Sequence, residues 1–110
     1  MTEGKAVRRL DEIPAQTGEV PGVAVRRLKR VEEVELKVLD VDPGRATPFH
    51  VHPHAHEGVI MAGAGALRGD EGTQPLTSGD SFSVGPNEPH AIESHGPEPL
   101  RIVCLDCFID

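Results

Sequence analysis

Hydrophobic residues in this chain occur in short runs rich in Val, Ile and Leu, and turns containing glycine or proline separate these runs. No helical period continues past residue 10. Runs of this length and composition predict β-strands. Many short strands, with a turn about every 8–12 residues, indicate an all-β sandwich or barrel. The predicted strands cover residues 23–28, 34–41, 47–52, 58–67, 81–84, 90–94 and 100–109.

Residues 1–20 precede the first predicted strand and form a mostly polar arm. A length of 110 residues suits one domain with a single core, so residues 21–110 are predicted to form one barrel. A small barrel has exposed strand edges, and pairing with a second chain would cover them. We therefore expect a homodimer in which the arm adds a strand to the neighbouring subunit.

Composition and charge exclude several classes of partner. The net charge of −7 repels phosphate backbones, and the absence of Trp and Tyr removes the usual base-stacking side chains, so we expect no nucleic acid. No apolar run approaches the roughly 18 residues needed to cross a bilayer, and the first residues lack the apolar stretch of a signal peptide. We therefore expect a cytoplasmic protein without membrane contact.

Four of the six histidines fall within residues 50–56. His50 and His52 are two residues apart on a predicted strand, so their imidazoles project from the same face. This alternation cannot be carried past Pro53 to the later histidines, because proline interrupts the strand ladder. Imidazole is a ligand of Mn, Fe, Ni, Co, Cu and Zn. The pair therefore predicts a site for one divalent transition-metal ion.

The order of glycines and histidines resembles that of the cupin family. The first cupin motif consists of Gly, five residues, His-x-His, three or four residues, Glu, six residues and Gly. Here it begins at Gly44 and places His50 and His52 as the motif requires. The second motif begins at Gly79 and places His90 at the expected distance. Both motifs occur in order, and the resemblance covers about residues 22–109.

The fourth position of the first motif has two possible assignments. With three intervening residues it falls on His56, and the closing glycine is then Gly63, as the motif demands. With four it falls on Glu57, and the closing position is then Ala64. The register favours His56, with Glu57 facing away from the site, and Glu57 is kept as the alternative ligand.

The resemblance implies a cupin barrel, also called a jelly roll or double-stranded β-helix, that holds a metal ion. Its ligands would be His50, His52, His56 and His90, as in four-histidine single-domain cupins, some of which bind manganese. His54 has no position in either motif and is expected at the rim of the site.

Inward-facing apolar residues are expected to enclose a small pocket beside the ion. Cys104 and Cys107 are three apart on the last predicted strand, so they point to opposite faces and cannot share a zinc ion. Only the first is expected inside. The expected pocket residues are Phe49, Ile60, Phe82, Ile92, Ile102 and Cys104.

Three functions fit such a site. The favoured one is a metal-dependent oxygenase, a dioxygenase-type oxidoreductase acting on a small organic substrate, because the ligands are neutral and the resemblance is to cupins. The second is a non-redox isomerase or lyase, which needs a general base. The sequence offers no obvious inward carboxylate for that role besides Glu57. The third is a module that binds or senses a small molecule without turnover.

Overall fold

The computed structural model describes residues 6–108, which form eight antiparallel β-strands. The one helical segment in this range is a 3-10 turn at Leu10–Glu12, so no helix here is long and apolar enough to cross a membrane. The strands are β1 (Val23–Val31), β2 (Val34–Val41), β3 (Ala55–Ala62), β4 (Ala64–Gly69), β5 (Gly72–Thr77), β6 (Ser81–Val84), β7 (His90–Ser94) and β8 (Leu100–Cys107).

The strands form two sheets that enclose one core. The five-stranded sheet has the order β1-β2-β8-β3-β6, and the three-stranded sheet has the order β5-β4-β7. Alternate residues of β8, from Leu100 to Asp106, are buried, as expected for a strand with one face on the core. Val41, Ile60 and Ile102 are also buried in this core. The predicted all-β class is confirmed, and the architecture is that of a jelly-roll barrel.

The prediction of a strand over residues 47–52 is wrong. Within this segment His50 alone forms a bridge, to His90 of β7, and Ala46 just before the segment forms another isolated bridge, to Glu93. Prolines at positions 48 and 53 remove two backbone N–H donors, so a continuous ladder cannot form there. The histidines at 50 and 52 are therefore held by an irregular segment rather than by a regular strand.

The predicted strand over residues 58–67 is in fact parts of two strands. β3 ends at Ala62 and β4 begins at Ala64, and Gly63 between them has a φ of 87°. A side chain at Gly63 would place its Cβ 2.4 Å from the carbonyl oxygen of Pro99. Glycine is needed here for both reasons, and this residue lets the chain pass from one sheet to the other.

The described part of the N-terminal arm lies along its own barrel. Gln16 forms a bridge with Val25 of β1, with backbone hydrogen bonds of 2.8 and 3.0 Å. The Arg26 Nε atom also donates a hydrogen bond of 3.0 Å to the carbonyl oxygen of Ile13. The proposed strand exchange with a second subunit therefore stays a prediction. Residues 1–5 of the arm, and Ile109 of the last predicted strand, lie outside the described residues.

Candidate metal centre

Two of the histidines are joined through their backbones. His50, in the irregular segment before β3, and His90, the first residue of β7, exchange two backbone hydrogen bonds of 3.1 Å. Their ring centroids are 5.1 Å apart. His52 follows two residues later, with its ring centroid 4.8 Å from that of His50 and 4.9 Å from that of His90. Local backbone pairing therefore brings together residues that are 40 positions apart in the sequence.

The histidines form two overlapping groups of three that share His52. One group contains His50, His52 and His90, and the other contains His52, His54 and His56. Within each group, the potential ligand nitrogens all lie within 4.8 Å of one another. The four histidines implied by the motifs thus all lie in one cluster, but the structure distributes them over two groups.

His54 belongs to this cluster, which the motifs did not indicate. Its ring stacks on that of His52 with a centroid distance of 4.3 Å and contacts the ring of Phe108 at 4.4 Å. The alternation of side chains is broken at Pro53, so sequence parity gave no information on where His54 would point. The run of four histidines at every second position was the one available signal.

Glu57 does not point into the cluster. It is exposed, and it accepts a hydrogen bond from the Ser83 hydroxyl group on the neighbouring strand β6. His56, one residue earlier on β3, faces the interior, and strand alternation sends Glu57 to the opposite face. Glu57 is therefore not positioned to act as the alternative ligand. The expectation that its side chain faces away from the site agrees with the structure.

Hydrogen-bond acceptors orient three of the rings. The Nδ1 atom of His90 lies 2.8 Å from the carbonyl oxygen of Glu88, and Nδ1 of His50 contacts the carbonyl oxygen of Pro48. The Nδ1 atom of His56 contacts the carboxylate of Asp106. These oxygens can only accept, so in a neutral imidazole the proton lies on Nδ1, and Nε2 is the nitrogen that is available as a ligand.

These donors fit a divalent transition-metal ion. The Nε2 atoms of His56 and His52 are 2.5 Å apart. Two nitrogens that bind one ion at about 2.1 Å and at right angles lie about 3 Å apart, so only a small ring movement would be needed. Burial, and then the nearby His56 and His54, lower the pKa of His52 from 6.5 to about 4. Burial also lowers the pKa of His90. Both imidazoles are therefore neutral at pH 7, as metal ligands must be.

A buried ion pair supports the cluster, and the sequence did not reveal it. Asp106 of β8 is 1% exposed and contacts both His56 and Lys37, whose Nζ atom is 2.7 Å from a carboxylate oxygen. Burial alone would raise the pKa of Asp106, but the hydrogen bonds from His56 and Lys37 lower it to about 2. Asp106 is thus an ionised acceptor that fixes the ring of His56.

A cavity of about 190 Å³ lies beside the histidines. Phe82, Ile92 and Cys104 line it as expected, and burial raises the pKa of the Cys104 thiol to about 12. Ile60 and Ile102 instead lie in the core. The lining residues are Lys37, Leu39, Thr47, His50, His52, His54, His56, Phe82, His90, Ile92 and Cys104.

The expectation that Phe49 lines the pocket is wrong. Its side chain is 43% exposed, and the guanidinium group of Arg68 lies 4.9 Å from its ring centroid. The expectation assumed the alternation of a regular strand, but residues 47–52 are irregular. Phe49 therefore packs on the outer surface, where the arginine covers it in part.

The cupin domain family matches residues 37–106, which include all the histidines of the cluster. The chain belongs to the cupin family. The family match confirms the resemblance seen in the two motifs, and many solved structures share the fold of this cupin. No curated protein shows significant similarity to its sequence.

Three of the solved structures illustrate the range of chemistry in this fold. A predicted oxalate decarboxylase from Thermotoga maritima is 21% identical, with a TM-score of 0.84 over 94% of this cupin and 100% of that chain. The polyketide cyclase RemF from Streptomyces resistomycificus is 21% identical, with a TM-score of 0.82 over 96% and 81%. A sugar phosphate isomerase from Silicibacter pomeroyi is 18% identical, with a TM-score of 0.84 over 93% and 75%. At these identities the likeness establishes the fold alone.

Proposed function

We propose that this cupin is a metal-dependent enzyme that acts on a small organic substrate. The observation that carries the proposal is the convergence of histidines on a cavity with apolar walls. His50, His52, His56 and His90 would hold the ion, and the second group of three adds His54 as a further donor. When bound, such an ion supplies Lewis acidity and, in the case of iron or manganese, redox chemistry with dioxygen.

The residues of the chain prepare this site for a compact ligand. Leu39, Phe82 and Ile92 line one cavity with the histidines, so an apolar substrate would displace water from beside them. Asp106 contacts Nδ1 of His56 from behind, which leaves Nε2 of that ring directed at His52 within the cluster. Within this proposal we favour an oxygenase, because neutral ligands leave the full charge of the ion available to an anionic or polarised substrate.

A non-redox isomerase or lyase is the second candidate, and the Lys37–Asp106 pair favours it. These residues place a cation and a carboxylate beside the histidines, where the sequence suggested no charged group. Asp106 itself is a weak base, because its pKa is about 2 and both of its oxygens have partners. Acid–base chemistry would therefore depend on a group of the substrate or on Lys37. A binding module without turnover is the third candidate, as the fold supports several functions.

The first test is the metal content of untagged protein. We expect about one transition-metal ion per chain and its loss in the double variant His50→Ala/His90→Ala. His95→Ala is the matched control, because His95 is exposed and lies outside the cluster, 3.4 Å from Glu93. Metal that survives the double variant, or a chain that takes up no metal, would contradict the proposal.

The second test separates the candidate chemistries. An oxygenase should consume dioxygen with iron or manganese and be inactive with zinc, whereas an isomerase or lyase should accept zinc and work without air. A binding module should show a ligand-dependent rise in the melting temperature without product. Oxygen uptake and thermal unfolding, measured on the same reloaded samples, distinguish the three.

The cytoplasmic homodimer is part of the same proposal. The outer face of β3 exposes Val59 and Met61, which a second chain could cover. Light scattering at micromolar concentration should give twice the mass of 11.8 kDa. A monomeric mass would contradict the dimer and leave the metal proposal unaffected.

A further inference from the structure

Lys37 is a cation on the inner face of the barrel. It has the same strand parity as Leu39 and Val41, both of which are buried in the core, and its side chain is only 17% exposed. It is the only formally charged side chain among those that line the cavity beside the histidines. A buried ammonium group is costly unless it has a partner, so its presence in an otherwise apolar and imidazole-lined cavity needs an explanation.

Asp106 is an ion-pair partner that balances part of the positive charge of Lys37. Its carboxylate lies 2.7 Å from the Nζ atom of Lys37, and it is shared with the ring of His56. Glu35, the next inward residue of β2, is paired with Arg27 at 2.7 Å and is therefore committed elsewhere. An ammonium group has three N–H donors. Residues 6–108 provide Asp106 as its one ion-pair partner, so donors remain for a ligand in the cavity.

We propose that Lys37 is the anchor for the anionic group of a ligand in this cavity, and that the ligand class is a short-chain carboxylate. This inference rests on the proposed metal site, because the ion and the ammonium group would flank the same cavity. One carboxylate would meet a positive charge on each side. The remainder of the ligand would contact Leu39, Phe82 and Ile92.

The size of the cavity guides the choice of probe. A volume of about 190 Å³ corresponds to roughly six water molecules at about 30 Å³ each. A four-carbon monocarboxylate such as butyrate is compact enough for a cavity of this size. Butyramide has nearly the same shape as butyrate without the charge. The pair therefore isolates the contribution of charge from the contribution of fit.

The experiment compares the two probes by isothermal titration calorimetry on protein of measured metal content. We expect wild-type protein to bind butyrate at least tenfold more tightly than butyramide. In Lys37→Met this ratio should fall roughly tenfold, because a hydrogen bond to a charged group is lost, while butyramide affinity is unchanged. Lys29→Met is the matched control, since it removes one exposed lysine from β1 and should keep the wild-type ratio.

Two further variants keep the test decisive. Lys37→Gln retains an N–H donor for Asp106 and replaces Lys37→Met if that variant does not fold, and Lys37→Arg should restore part of the butyrate preference. A butyrate-to-butyramide ratio that is the same in wild type and in Lys37→Gln would overturn the inference and assign Lys37 to Asp106 alone. Equal affinity of the wild type for both probes would overturn it as well.

The metal content tests the proposed function separately from the carboxylate site. If the wild-type chain holds no metal, the metal-dependent enzyme is refuted, and the probe ratio can still be measured on the metal-free protein. A ratio that depends on Lys37 there would retain the anion site. Conversely, metal-loaded protein whose probe ratio ignores Lys37 would retain the metal site and remove the carboxylate assignment.

Discussion

The buried pair of Lys37 and Asp106 should be strongly coupled in its contribution to stability. Two unit charges about 4 Å apart attract by about 4 kcal/mol at an effective dielectric constant of about 20, and desolvation of both groups offsets part of this. Asp106 is 1% exposed and Lys37 17% exposed, so solvent screens the pair little. Removing Asp106 leaves the Lys37 ammonium group without its ion-pair partner, and removing Lys37 leaves the Asp106 carboxylate with the ring of His56 alone. Loss of one partner of a buried ion pair typically costs about 3–5 kcal/mol.

We therefore expect Lys37→Met and Asp106→Asn each to lower the free energy of unfolding by about 3 kcal/mol. The double variant should lose clearly less than the sum of the two, with a coupling energy of about 2 kcal/mol, because neither charge is then left alone. With a urea m-value of roughly 2 kcal/mol per molar, each single variant should move the unfolding midpoint by about 1.5 M.

Urea unfolding followed by circular dichroism on chelator-treated protein measures this cycle without a contribution from metal binding. The matched control is Glu93→Gln, which breaks the half-exposed pair between Arg68 and Glu93 and should cost less than about 1 kcal/mol. Additive effects of Lys37→Met and Asp106→Asn, or single effects as small as that of the control, would show that the pair is not energetically coupled and would refute the reasoning.

Three further predictions concern other parts of the chain. Cys107 should react with a thiol reagent before Cys104, because Cys104 is buried and its pKa is about 12; equal rates in the native protein would contradict this. The pKa of His52 is about 4 in the folded protein and near 6.5 when unfolded, so the unfolded chain binds more protons between these values. Stability of metal-free protein should therefore fall as the pH is lowered from 6.5 towards 4, less steeply in His52→Gln; equal slopes in urea unfolding would refute this. Gly63→Ala should lower stability by more than about 2 kcal/mol, since it combines a positive φ with a backbone contact at 2.4 Å. Gly79→Ala, at a similar φ with open space around it, should cost less, and equal costs would exclude the contact as the cause.

Strand alternation predicted the fold where strands are regular. On β8 it placed Cys104 inside and Cys107 on the other face, and both positions agree with the structure. It failed at Phe49, because prolines on either side of the segment prevent a ladder and alternation then has no meaning. It also failed to place His54, which follows a proline. Periodicity is informative only where consecutive backbone N–H groups can pair.

The buried ion pair was missed for a different reason. Lys37 shares the parity of Leu39, and Asp106 shares that of Cys104, so each was visible as a charged residue at an inward position. Asp106 lies near the end of β8, where side chains often reach solvent, but Lys37 lies in the middle of β2, and neither strand alone shows a partner for its charged residue. The cross-strand register, which aligns His56 with Asp106 and Lys37 with Cys104, brings the charges together. The residue pattern of one strand does not predict how that strand aligns with its neighbours, so the ion pair could not be predicted from it.

Because of the backbone bridge between His50 and His90, the distance between these two residues does not depend on how many residues separate them in the sequence. Two residues that exchange both backbone hydrogen bonds have their Cα atoms about 5.5 Å apart, whatever the length of chain between them. The intervening hairpin of β4 and β5 turns at Asp70 and Glu71, which are exposed. Residues inserted at that turn would lengthen the chain between the two motifs, while the bridge would still set the separation of His50 and His90. The rim of the barrel can therefore vary in length while the histidines of the cluster stay together.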